Sequence, residues 1–289
     1  MDPAVSSLLT RLQDQPSHTG SLIVTIFGDA IMPRGGVVAL ATLLEICAAF
    51  GIGPGVVRTA ISRLTADGWV SGSRQGRMSY YCIPRGRRGE YVRAERHIFG
   101  AGRRQGVSRL SLVLLEPSEA RDAQRVRLSR LGFVGWQGWM LAPERPLPRS
   151  LAAQLPVLTA DAPAETLRMI AARAWKLDDR RREYQDFIEA FDGLARPGFP
   201  IGSLPELDAL VARLLLVHDF RRIALRDPFL PKAFLPPDWA GTEARRLCAR
   251  LYPALLPASE AWLDHNARTE SGPLAKPSPS LYRRFQSHR

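Results

Sequence analysis

The sequence predicts an α+β protein of several domains: an N-terminal winged helix-turn-helix, a small central α+β sandwich and a mainly helical C-terminal domain. Three observations predict it. Gly51 to Tyr81 reads as a helix followed by a glycine-containing hairpin. Arg109 to Thr159 runs strand, helix, strand, and from Ala164 onward apolar stripes at helical spacing are separated by proline-rich breaks. A chain of 289 residues has room for two or three compact domains, and 45% hydrophobic content is ordinary for globular protein.

Residues 1–20 are polar and mixed, and are expected to form a partly ordered arm. The winged domain spans 21–84. Ser21 to Phe27 is apolar and a strand by propensity, but the helix-turn-helix context makes it the first helix. Pro33-Arg34-Gly35-Gly36 is a turn. Val38 to Phe50 is expected to be helical, with Leu40, Leu43, Leu44, Cys47 and Phe50 inward. Gly51-Ile52-Gly53 makes a tight turn into the next helix, whose first-turn Pro54 loses nothing by lacking an N–H. There Val56, Val57, Ala60, Ile61 and Leu64 form the apolar face, while Arg58, Thr59, Ser62 and Arg63 point to water. Gly68 ends the helix. Trp69 to Ser71 and Met78 to Tyr81 are short strands joined by Ser73 to Arg77, a hairpin with Arg74 and Arg77 at its tip.

Residues 85–108 read as a basic linker with a helical stretch near Glu90 to Phe99. The α+β domain covers 109–163: a buried strand at Arg109 to Glu116, an amphipathic helix at Ala120 to Leu131 with Val126 and Leu128 inward, a strand at Phe133 to Leu141 and another at Pro156 to Thr159. The C-terminal domain, 164–270, opens with a long helix from Ala164 to Leu194. A second helix runs from Leu204 to Arg226, an irregular stretch holds Pro228, Pro231, Pro236 and Pro237, and a further helix covers Thr242 to Leu255. Residues 271–289 are expected to be a flexible tail.

Charge narrows the partners. The net charge is +12, which favours an anionic partner. Lys176, Lys232 and Lys276 are the only lysines, a bias that suits bidentate phosphate contacts and equally a G+C-rich coding sequence. From Arg58 to Arg109, twelve arginines face only Asp67, Glu90 and Glu95. Beside a helix-turn-helix, such a run favours DNA contact over a solvated linker. Cys47, Cys82 and Cys248 are far apart and odd in number, so neither a disulfide framework nor a metal site follows. The N-terminus lacks the pattern of a secretory signal, and no stretch approaches the ~20 apolar residues that span a bilayer. A cytoplasmic location is expected, with no membrane partner.

SLIVTIFGDAIMPRGG, FGIGPGVVRTAISRLTADGW and SRQGRMSYY resemble the N-terminal domain of the PaaX family, repressors of bacterial phenylacetic acid degradation operons and their relatives. The segment from Arg109 and the stretch LLLVHDFRRIALRDPFLPKAFLPPDWAG (Leu214 to Gly241) resemble the family's later domains, in the expected order. The resemblance implies that 109–163 is a ferredoxin-like domain similar to the Cas2 nucleases. Such a nuclease would place an aspartate at the end of its first strand. Here Glu116 is followed by Pro117, so a dimerisation or spacer role is expected instead.

The expected DNA-binding residues are Arg58, Thr59, Ser62 and Arg63 on the helix, with Arg74 and Arg77 on the wing. Arg58, near the helix N-terminus, is placed to read a guanine edge, and the wing arginines to hold phosphate or minor groove. Arg63 has an alternative partner in Asp67 at i+4. His218, Arg221 and Arg222 form a second cluster with Asp219. A catalytic histidine there finds no accompanying nucleophile motif, phosphate loop or metal-ligand spacing. The remaining readings are a buried polar network and an anion pocket. The resemblance supports the pocket and implies phenylacetyl-coenzyme A as effector, with no bound cofactor. The expected function is thus a dimeric repressor on double-stranded operator DNA, released by an acyl-coenzyme A. The alternatives are a Cas2-like metal-dependent nuclease and a constitutive DNA-binding protein without effector.

Overall fold

The computed structural model describes residues 1–14, 19–100, 107–145 and 147–286. The protein is mixed α/β, with several small antiparallel sheets, and divides into two compact units. One comprises Met1–Ala101, Tyr184–Leu225 and Glu243–Arg289; the other comprises Gly102–Glu183 and Arg226–Thr242. No helix among the described residues is long and apolar enough to cross a membrane.

The first unit begins with a helix where an arm was expected. In α1 (Pro3–Asp14), Val5, Leu8 and Leu9 are buried, at the spacing that gives a helix one apolar face. The backbone N–H of Asp2 bonds the Asp208 carboxylate at 2.6 Å. α2 (Thr19–Ile26) is the expected helix and buries Leu22, Ile23 and Ile26. It runs into a π-turn, Phe27–Ile31, and a 3-10 turn, Met32–Arg34. β1 (Val37–Ala39) and α3 (Leu40–Ala49) then replace the single helix expected from Val38. The valines are drawn into extended backbone by pairing, since Val37, Val38 and Ala39 lie opposite Cys82, Tyr81 and Tyr80. Leu43, Ile46, Cys47 and Phe50 are buried.

α4 (Pro54–Ala66) buries Val57 and Ile61. Val56, expected on the apolar face, is 55% exposed: one helical step from Val57, it lies off the buried stripe. β2 (Ser71–Gln75) and β3 (Met78–Cys82) follow, with Gln75 opposite Met78, so the turn is only Gly76-Arg77 and tighter than expected. Gly76 takes φ +60°, a conformation open to glycine. Sheet order is β1-β3-β2. α5 (Arg88–Phe99) continues the unit, where a linker was expected. Its last turn buries Ile98 and Phe99, and Phe99 meets the Phe285 ring edge-on at 5.1 Å. Arg103 and Arg104 lie outside the described residues.

In the second unit, β4 (Arg109–Leu114), α6 (Arg121–Arg130), β5 (Val134–Trp136), β6 (Trp139–Pro143), α7 (Arg149–Ala152) and β7 (Val157–Asp161) form a four-stranded antiparallel sheet in the order β5-β6-β4-β7. The strand expected from Phe133 to Leu141 is a hairpin. Gln137 and Gly138 take φ +50° and +84°, which reverses the chain between the two strands. Val113, Leu115, Leu128, Phe133, Met140, Ala142, Leu151 and Leu155 make the core. Val126 is 51% exposed rather than inward, because Leu128 alone on α6 turns fully to the sheet.

The expected helix from Ala164 to Leu194 is two, α8 (Ala164–Ala174) and α9 (Leu177–Ala195), broken where Lys176 takes φ +50°. Nor does 164–270 form one domain: α9 starts in the second unit and ends in the first. α10 (Glu206–Ala224) is buried around nearly its whole circumference, including Arg213 and His218. α11 (Ala240–Asn266) extends beyond the expected end at Leu255, through Pro253 and Pro257. Leu255, Leu256, Trp262 and Leu263 are buried there, and this packing outweighs the backbone N–H groups that proline removes. β8 (Arg268–Thr269) and β9 (Gly272–Pro273) form a small hairpin.

Residues 272–286, expected to belong to a loose tail over 271–289, pack into the first unit with Leu274, Leu281, Arg284 and Phe285 buried, while 287–289 lie outside the described residues. Arg284 bonds Asp29 at 2.9 Å, Glu95 at 2.7 Å and the Tyr252 hydroxyl at 3.2 Å. Arg213 pairs with Asp29 at 2.8 Å and with Glu260. Arg34 pairs with Glu260 at 2.5 Å and with Asp264 at 2.7 Å. Burial works against the Arg213 charge, but Asp29, Tyr252 and Glu260 more than offset it and hold its pKa above the ordinary value. The network gathers α5, α10, α11, the π-turn and the C-terminal segment around buried charges that are all partnered.

Candidate nucleic-acid interface and internal cavity

On α4, Arg58, Thr59, Ser62 and Arg63 are all exposed, as are Arg74 and Arg77 at the hairpin. The apolar side chains of α4 face the core, which leaves its cationic row outward. No carboxylate pairs with Arg58, Arg63 or Arg77 among the described residues, and the alternative Arg63–Asp67 bond does not form. The Thr59 hydroxyl donates back to the Gly55 carbonyl at 3.0 Å, so its lone pairs stay outward. Arg74 donates Nε to the Gly76 carbonyl at 3.1 Å, which fixes the arginine against its own turn. These guanidiniums on one helix and one hairpin leave an exposed cationic surface, whose charge is complementary to a polyanion.

The cluster on α10 comes apart. His218 is fully buried, with Nδ1 2.9 Å from the Thr25 hydroxyl. Burial, then Arg221 and Arg222, lower its pKa to about 3, so it is a neutral core group. Arg221 instead reaches Ser21 on α2, with 2.8 Å to the hydroxyl and 3.1 Å to the carbonyl. It lines a cavity of about 450 Å³ whose wall includes neither His218 nor Arg222.

That cavity lies wholly within the first unit. Its wall comes from α2, the π-turn, the end of α4, one face of α5, α10 and the C-terminal segment. Val24, Met32, Leu64, Trp69, Ile98 and Val217 make it largely apolar. Two polar groups at this wall have no hydrogen-bond partner among the described residues: the Tyr91 hydroxyl and Arg221 Nε. Burial pushes the Tyr91 hydroxyl up to about 12, against the pull of Arg221 and Arg87, and keeps it a donor. Trp69, just after α4, meets Tyr91 edge-on at 6.4 Å. Arg87 stacks over Trp69 at 4.7 Å and donates to the Asp67 carbonyl at 3.3 Å.

The model of the PaaX-like protein family matches residues 18–84, and that of the PaaX-like protein C-terminal domain matches residues 175–265. Transcriptional repressor PaaX of Escherichia coli (strain K12) is 30% identical over 297 residues, 93% of this chain and 90% of that protein. The chain belongs to the PaaX family. Its two matched regions hold α4 with the hairpin, and α10 with most of α11. The solved structure of the uncharacterized protein Rv0674 from Mycobacterium tuberculosis covers 76% of this chain and 89% of that chain, at 21% identity and a TM-score of 0.47.

Sequence reading missed Tyr91 and Trp69 because each looks like an ordinary packing aromatic. The one signal was the helical stretch inside the supposed linker, which carries Tyr91 and Glu95 to the cavity wall. No group of three or more His, Cys, Asp or Glu side chains placed to hold a metal ion is found among the described residues.

Proposed function

We propose that this protein is a cytoplasmic transcriptional repressor that binds operator DNA as a homodimer and is released by an acyl-coenzyme A such as phenylacetyl-coenzyme A. The observation that carries the DNA-binding part is the row of exposed arginines on α4 and the hairpin, with no carboxylate paired to Arg58, Arg63 or Arg77 among the described residues. Helix, strand, helix, helix and hairpin, with sheet order β1-β3-β2, is consistent with a winged helix-turn-helix. α4 is then the recognition helix and the β2–β3 hairpin the wing. The similarity to a protein named as a transcriptional repressor supports the same reading. The sheet order β5-β6-β4-β7 supports a ferredoxin-like domain for the second unit, to which we assign dimerisation. No step of this function is enzymatic.

Arg58→Ala and Arg77→Ala test the interface, with binding measured on a panel of duplexes that vary one base pair at a time. Both variants lose affinity. Only Arg58→Ala alters base preference, by roughly 1–3 kcal/mol at one position of each half-site. Equal losses on every duplex for both variants would remove α4 as the reading helix.

A further inference from the structure

We infer that the cavity behind α4 is the effector site, and that its ligand acts on the recognition helix directly through Tyr91 and Trp69. This rests on the regulatory reading above and gives it a place and a route.

The wall sets the chemistry of the ligand. Val24, Met32, Leu64, Trp69, Ile98 and Val217 line it, so the occupant has an apolar body, aromatic or aliphatic. A volume of about 450 Å³ takes an acyl group with part of its tail rather than a bare ion. The Tyr91 hydroxyl and Arg221 Nε are donors without acceptors among the described residues. A buried donor left unmatched costs free energy that an acceptor recovers. A carbonyl oxygen on an apolar body, as in an acyl thioester, supplies that acceptor.

The regulation follows from what else touches that wall. Leu64 lies in the last turns of α4, and Trp69 follows the helix end. Tyr91 packs against Trp69, and Arg87 holds both the Trp69 face and the Asp67 carbonyl. A ligand that draws the Tyr91 hydroxyl to itself shifts its ring against Trp69, and Trp69 and Arg87 carry the C-terminal end of α4 with them. The helix that presents Arg58 and Arg63 is re-aimed, and DNA affinity falls by the ratio of the ligand's affinities for the two states.

The test uses the full chain, phenylacetyl-coenzyme A and free coenzyme A, with calorimetric affinities beside DNA binding measured without ligand. Tyr91→Phe deletes a hydroxyl that has no hydrogen-bond partner among the described residues, and its DNA binding without ligand is measured beside that of the wild type. Its affinity for the thioester falls about fivefold to tenfold, the worth of one buried hydrogen bond. Val24→Trp fills the cavity and abolishes thioester binding, and free coenzyme A binds the wild type far more weakly than the thioester. Unchanged thioester affinity in both variants would overturn the inference and leave an effector site elsewhere. DNA binding without any thioester binding by the wild type would overturn the inference and the effector reading together, and leave the DNA-binding reading standing.

Discussion

His218 shows how one residue changes meaning with its surroundings. In the sequence it sits beside Asp219, Arg221 and Arg222 and suggests either a buried polar network or an anion pocket. In the fold it is a neutral ring bonded to Thr25, its pKa lowered to about 3 from an ordinary 6.5. Between those values the unfolded chain binds the proton and the folded chain does not. His218 therefore costs stability as pH falls below about 6.5, and the loss grows until pH nears 3. Asp219, raised to about 6 by burial, has the opposite slope from its ordinary 3.8 up to 6. The difference between wild type and His218→Asn isolates the histidine: melting temperatures followed from pH 7 to 4 should fall more steeply in the wild type. Parallel curves would mean that His218 is protonated in the folded chain. The cysteines divide in the same way. Burial pushes the Cys47 thiol up to about 12 and raises Cys248 as well, while Cys82 is half-buried. A thiol reagent at neutral pH should label Cys82 alone until the protein unfolds; rapid labelling of two or three thiols would contradict that burial.

Among the elements, the C-terminal segment departs furthest from its sequence. Its serines, prolines and arginines read as a loose tail, yet Arg284 and Phe285 are buried among α5, α11 and the π-turn. Composition gives no sign of this, because an arginine that ends beside Asp29, 255 positions away, looks like any surface cation until the fold brings them together. Arg284→Ala leaves Asp29 with one arginine and Glu95 without its 2.7 Å partner. The expected cost is about 3–5 kcal/mol, the range for removing one member of a buried pair, measured by urea unfolding. A loss below about 1 kcal/mol would show that the segment contributes little to the core. By contrast, α4 was legible because its determinants are local: a proline in the first turn, a 3.6-residue apolar stripe and a glycine stop. β1 was not, since its three residues take their conformation from pairing with β3, 41 to 45 positions away. The Gln137-Gly138 turn is hidden in the sequence because Val134 and Trp136 before it and Trp139, Met140 and Leu141 after it read as one continuous strand.

On the scale of the whole molecule, the sequence supplied the order of the parts and misjudged how they group. The helices after Ala164 are shared between two units, and α5, expected as a helical stretch within a linker, belongs to the same compact unit as α4. The consequence is functional. The arginine row of α4, the cavity behind it and the buried ionic network belong to one compact unit, so the proposed effector site and the proposed DNA-binding row need no distant relay between them. This account turns on one measurement: fluorescence anisotropy of the full chain with a duplex from its own upstream region, against random duplex, at several salt concentrations, with and without phenylacetyl-coenzyme A. It predicts tight, salt-sensitive binding that favours the upstream duplex by at least about 10³-fold and is lost when the thioester is added. Equal affinity for random and upstream duplexes, unchanged by the thioester, would contradict it.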